Sequence, residues 1–217
     1  PVPTIGGNFS SLDYLKPLPA NIDPYSIPGA LRRAPITPMG GFNQHEGSDF
    51  FGCNPPYLPL ASRADVLVFQ SAPLDYDVEA TGPATITLWI SSSTPDSDFT
   101  AKLIDVYPPN QDYPQGYALN LADSIQRAKY RNSRNQSELM EPGEVYQLKI
   151  SLYPTSNLFK KSHRIRLDIA SSNFPRFDVN PNTGESIGLN RLTAVAKNTV
   201  YHDRNHQSHI VLPIISR

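Results

Sequence analysis

Cysteine is nearly absent from this 217-residue chain: Cys53 is the only one, so no intrachain disulfide can form. Charge of one sign is also missing. Nineteen Lys and Arg face twenty Asp and Glu, a net charge of -1 that offers no field to draw nucleic acid or an anionic lipid surface. Neither is expected as a partner. No apolar run approaches the roughly 18 to 20 residues that a membrane-spanning helix requires. There is no basic or apolar leader at Pro1-Val2-Pro3-Thr4, a start that reads as a cut inside a longer polypeptide. Two sequons, Asn8-Phe9-Ser10 and Asn135-Gln136-Ser137, are too short to settle a compartment, which stays open. A hydrophobic content of 39% with 18% charged residues describes a folded chain rather than a disordered one.

Proline is what the chain has in excess, and it is unevenly placed. Eleven of the 22 prolines precede residue 60. Each fixes φ and removes an N–H donor, so residues 1–61 read as an extended arm with little sheet of its own. Such an arm must lie on another surface, either the rest of this chain or a neighbouring domain. From residue 62 onward the pattern changes to short alternating segments separated by turn residues. Strand-like stretches occupy residues 64–69, 76–80, 84–91, 99–107, 145–153, 164–171, 198–202 and 209–215. In residues 145–153, Tyr146, Leu148, Ile150 and Leu152 fall on one face. Residues 117–131 carry helix propensity as well as strand character. About eight short strands without helical crossovers point to an all-β fold, an antiparallel β-sandwich over residues 62–217 with an irregular Pro-rich N-terminal arm.

Several constellations could carry chemistry. Gly184-Glu185-Ser186-Ile187-Gly188 matches the nucleophile-elbow spacing, and Asp203, His206 and His209 follow in hydrolase order. The elbow, however, needs a buried strand delivering Ser into a helix, and a polar Asn- and Pro-rich turn precedes Ser186 instead. His202 and His206 are spaced like metal ligands on a helix, but His209 opens an apolar strand, so a polar turn is expected there. Asp178, Asn180 and Asn182 alternate like the start of a calcium loop. Thr183 and Leu189 stand where that loop needs Gly and Glu, which favours an Asx-turn. No metal and no cofactor are expected. Asp98, Lys102 and Asp105, with Arg127, Lys129 and Arg131, read as cross-strand charge pairs. Trp89, Tyr107, Tyr130, Tyr146 and Tyr153 are expected in the core, the alternative being a sugar-binding platform. Cys53 has no basic neighbour and reads as inert.

The run Ser171-Ser172-Asn173-Phe174-Pro175-Arg176-Phe177-Asp178, continuing to Asn182-Thr183-Gly184, closely resembles the C-terminal domain of the X-Pro dipeptidyl-peptidase and cocaine-esterase-like hydrolases, the CocE/NonD family. Residues 1–7, 63–69, 91–106, 142–146, 154–159 and 208–214 resemble the same domain, in the same order. The chain departs from that pattern in residues 43–62, where Asn54-Pro55-Pro56-Tyr57 stands in place of an Asp-Gln-Arg segment.

The resemblance implies a jelly-roll-like, galactose-binding-like sandwich without a catalytic triad. It favours two short strand pieces about a turn at Asp123 over a helix. It also implies an upstream α/β-hydrolase domain with a Ser-His-Asp triad and a helical cap in the same polypeptide, acting on esters, amides or X-Pro dipeptides. The chain alone is then expected to be inactive, supporting the catalytic domain and shaping access of substrate. A homo-oligomer through the sandwich is compatible with this arrangement. With the arm against the hydrolase domain, Asn8 and Phe9 become the candidates for contact with bound substrate. A free-standing carbohydrate-binding module is the alternative from another class.

Overall fold

The computed structural model describes residues 8–10 as backbone, 43–46, 55–174, 176–186 and 189–216. Most of the Pro-rich arm and Cys53 lie outside the described residues. Eleven strands and two single 3₁₀ turns make up the regular structure, with no α-helix among the described residues. The strands are β1 (Asn8–Ser10), β2 (Leu67–Gln70), β3 (Val78–Gly82), β4 (Thr85–Ser92), β5 (Asp98–Tyr107), β6 (Tyr117–Arg127), β7 (Tyr146–Ser151), β8 (Thr155–Phe159), β9 (Arg164–Ala170), β10 (Lys197–Tyr201) and β11 (His209–Val211).

Two antiparallel sheets face each other. One is built around β4, with β7 on one side and β10 and β11 end to end on the other; β1 pairs with β10. The second runs β2-β9-β5-β6, and a short β3-β8 ribbon completes the set. The chain crosses between sheets from β4 to β5, from β6 to β7 and from β9 to β10, which makes a jelly-roll-like sandwich. Period-two alternation explains the core. Ile86, Leu88 and Ile90 of β4 and Leu148 and Ile150 of β7 belong to the same buried cluster as Phe99, Ala101 and Leu103 of β5 and Leu167 and Ile169 of β9. Each such Leu or Ile contributes about 1.5–3 kcal/mol through burial.

Three expectations are corrected. Residues 117–127 form one continuous strand, not two pieces about a turn at Asp123, which pairs in mid-strand with Lys102. The irregularity lies two residues earlier: the register shifts between Leu103 and Ile104, leaving Leu121 as an extra residue on β6. Second, Lys129 and Arg131 do not alternate along a strand; Lys129 lies in the 3₁₀ turn Ala128–Tyr130 and Arg131 caps it. Third, of the aromatics expected in the core, Tyr146 packs against its edge, whereas Trp89, Tyr107, Tyr130 and Tyr153 stay outside it. Trp89, Tyr107, Tyr130 and Tyr146 are half-buried and Tyr153 is 66% exposed, whereas Phe99 and Phe159 are fully buried. The hydroxyl or indole N–H of the former group needs a polar partner that the apolar interior lacks. β8 and β1 are further strands that alternation did not single out.

Candidate functional site

Beneath the 171–186 loop lies a buried polar network that sequence spacing only hinted at. Asp98 is 1% exposed and accepts two hydrogen bonds from Arg127, each 2.8 Å, across the β5-β6 register. Asn180 of the loop donates to both Asp98 Oδ1 (2.8 Å) and Asp96 Oδ2 (3.1 Å). Asp96 also accepts the backbone N–H of Lys129 at 3.0 Å, and burial pushes its carboxyl above the ordinary Asp range. Lys129 in turn donates to the carbonyls of Gly184 and Glu185, 3.1 and 3.0 Å away. The Asx-turn is present, with Asn182 N–H on Asn180 Oδ1 at 2.9 Å, and Asn182 Nδ2 reaches Ala194 O at 2.8 Å. The donors and acceptors of this network serve one another, so it can hold a loop in place but offers no nucleophile.

The outer face of the second sheet carries a further charge cluster. Lys102 stands in register with Asp123 on β6 and Asp168 on β9. Its Nζ donates to Gln44 at 3.1 Å, and burial pulls its pKa down. Arg166 and Asp168 pair at 3.0 Å, and burial raises the Asp168 carboxyl. Asp123 accepts from Asn173 (2.8 Å) and pairs with Arg176 (3.1 Å), both at the start of the 171–186 loop. This face therefore anchors residues 43–46 and the loop to one sheet.

The candidate residues Asn8 and Phe9 lie on β1, an edge strand. Phe9 pairs with Asn198 and Asn8 with Thr199. Asn198 is fully buried and donates to Ser97 Oγ (2.7 Å) and Ser171 Oγ (2.8 Å). The backbone of Asn8 and Phe9 thus runs one strand away from the root of the 171–186 loop.

The other candidates fall apart as catalytic groups. Ser186 is exposed, and among the described residues no hydrogen bond joins its hydroxyl to a histidine. His206 is 3.1 Å from Asp203 and packs edge-on against Trp89 at 5.3 Å, a ring closing the β10-β11 turn. That bond holds the exposed Asp203 carboxyl below its ordinary range. His202 bridges to Gln207 through the backbone, and His209 donates Nδ1–H to Gln207 O at 2.8 Å. Among the described residues no group of three His, Cys, Asp or Glu side chains gathers to hold a metal. Nor do the aromatics among the described residues make one sugar platform. Tyr107 sits edge-on to Tyr113 and Tyr117, each at 6.0 Å, while Tyr146 lies under Arg131 at 4.4 Å. A buried dyad that the sequence did not suggest, His163 Nδ1 with Asp105 Oδ1 at 2.8 Å, is packed against Tyr107.

Comparison with known proteins decides the family. Residues 21–211 match the X-Pro dipeptidyl-peptidase C-terminal non-catalytic domain. The chain belongs to that family. Its sequence is 43% identical over 161 residues to the cocaine esterase of Rhodococcus sp. (strain MB1 Bresler), covering 73% of this chain and 27% of that protein. Among solved structures, an aminopeptidase from the marine sediment archaeon Thaumarchaeota archaeon matches 72% of this chain and 27% of its own, with 31% identity and a TM-score of 0.66. An α-amino acid ester hydrolase matches 72% of this chain and 26% of its own, with 30% identity and a TM-score of 0.67. The chain thus spans about a quarter of the length of these relatives. The description of that family is of a C-terminal, non-catalytic domain.

Proposed function

We propose that this chain is the accessory C-terminal part of a serine hydrolase that cleaves esters, amides or X-Pro dipeptides. Its catalytic α/β-hydrolase and cap domains would lie in the same polypeptide. The observation that carries the reading is the match to a non-catalytic family over residues 21–211, with coverage of only 27% of a relative named as an esterase. In this role residues 1–61 form the arm laid between sandwich and hydrolase, and residues 62–217 form the sandwich. The paired network of Asp96, Asp98, Asn180 and Lys129 supports it by fixing the 171–186 loop in one shape, a preformed surface for docking at little entropic cost. Asn8 and Phe9, on the edge strand beside the root of that loop, are proposed to shape access of substrate.

Acyl transfer needs an activated nucleophile, an oriented base and an oxyanion hole. The purified chain, assayed with p-nitrophenyl esters and X-Pro anilides beside a Ser186→Ala control, is expected to show no turnover above buffer. Turnover that disappears in Ser186→Ala would refute the accessory role.

A further inference from the structure

One lysine of the second sheet stands opposite two carboxylates and bonds neither. Lys102, on β5, is in register with Asp123 on β6 and with Asp168 on β9. Directly opposed side chains on neighbouring strands have Cβ atoms about 5 Å apart, well within the reach of a lysine stem. Yet among the described residues Lys102 makes no ion pair, and its Nζ donates to the neutral carboxamide of Gln44 at 3.1 Å.

The reason lies in how the two carboxylates are already used. Arg166 holds Asp168, with Nη2 on Oδ2 and Nε beside Oδ1, each at 3.0 Å. The 171–186 loop holds Asp123, with Arg176 Nη1 3.1 Å from Oδ1 and Asn173 Nδ2 2.8 Å from Oδ2. Three cations thus share two carboxylates, and the guanidiniums, whose forked geometry suits a carboxylate better than an ammonium does, have taken both. Burial pulls the Lys102 pKa down; Asp123 and Asp168 oppose it, and Arg166 and Arg176 reinforce it, so the amine senses the loop arginine. Gln44, in turn, belongs to the strap of residues 43–46. Its N–H donates to Ala118 O at 2.9 Å, and Leu60 N–H donates to Gln44 O at 3.0 Å. The lysine that fastens the strap therefore faces the carboxylate that fastens the loop.

We propose that Lys102 is a two-position switch that couples the strap to the 171–186 loop. While Arg176 and Asn173 occupy Asp123, Lys102 is left to hold Gln44. When the loop lifts, Asp123 loses both partners, Lys102 turns to it, and the strap loses its side-chain anchor. By reciprocity, loss of the Gln44 contact turns Lys102 onto Asp123, where it competes with the loop. The coupling is a property of the sandwich and does not depend on the hydrolase assignment.

Amide hydrogen exchange of the 217-residue chain reads both ends. Gln44 and Leu60 report the strap, and Arg176 and Phe177, whose N–H groups donate to Asn173 O, report the loop. Arg176→Gln is expected to speed exchange at Gln44 and Leu60 by about fivefold or more, the lower end of ordinary coupling between sites. Gln44→Ala is expected to speed exchange at Arg176 and Phe177 by a similar factor. Both effects are expected to disappear in the Lys102→Met background, where a stem of similar length carries no charge. Amides of β4 and β7, in the other sheet, are expected to keep their rates and so report an intact fold. Asn173→Ala, which frees the other oxygen of Asp123, gives the same strap readout where Arg176→Gln fails to fold. Strap exchange unmoved in a folded loop variant, or accelerated equally in the Lys102→Met background, would overturn the proposal.

Discussion

At the scale of single residues, the buried carboxylates are the most exacting positions. Asp98 holds Arg127 through both oxygens and Asn180 through one of them, so its removal strands a guanidinium and an amide together. Breaking a buried pair costs about 3–5 kcal/mol. Arg127 keeps 19% of its side chain exposed, and water there recovers part of the loss. Asp98→Ala is therefore expected to destabilise by about 2–3 kcal/mol in urea unfolding.

Asp96 predicts a pH signature. Its folded-state pKa is raised by burial above the ordinary value of 3.8, so the folded state binds the proton more tightly than the unfolded chain. Its contribution is fully present below pH 3.8 and is lost as pH rises through the raised value. Asp96→Asn keeps one acceptor oxygen and cannot ionise, so that part of the pH slope should vanish. Urea midpoints of both proteins from pH 3.5 upward read it; parallel slopes would show that Asp96 does not titrate in this way.

Among the elements, two turns contrast usefully. Ser162, between β8 and β9, has φ 72°, and Asn182, in the loop, has φ 62°. Left-handed backbone costs an L-residue roughly 1–2 kcal/mol, which glycine avoids at some expense in unfolded-state entropy. Ser162→Gly is accordingly expected to stabilise by about 0.5 kcal/mol. Asn182→Gly removes the bond to Ala194 O and should instead destabilise by about 1–2 kcal/mol, since the carbonyl it served is left unpaired. Thermal melting of the two variants should move in opposite directions. At β6 the bulge at Leu121 has a similar local logic: one extra residue changes which side chains face the core, so Ala122 is buried inward while Asp123 meets Lys102.

For the molecule as a whole, the β1-β10 pairing is what links the arm to the proposed role. Phe9→Ala in the complete enzyme is expected to change the ratio of kcat/KM between bulky and small acyl substrates by about tenfold, the size of a hydrophobic contact of 1–3 kcal/mol. Its melting temperature is expected to stay within a few degrees. An unchanged ratio, or a loss accounted for by unfolding, would make Phe9 scaffold only.

Much was legible in the sequence by itself. Alternation depends on neighbouring side chains along one strand, so the segments that became β4, β5, β7 and β9 could be read directly, and with them the sandwich. Family membership was carried by motif blocks, above all residues 171–184. Charge pairing across strands was expected for Asp98, Lys102 and Asp105 with Arg127, Lys129 and Arg131 as groups, and the register joins Asp98 to Arg127. Tertiary structure alone decided the rest. Whether Asp123 turns or continues a strand depends on Lys102, Asn173 and Arg176, which lie 21 to 53 residues away and have no local signature. β1 could not be read because a three-residue edge strand is defined by the partner it finds, here β10.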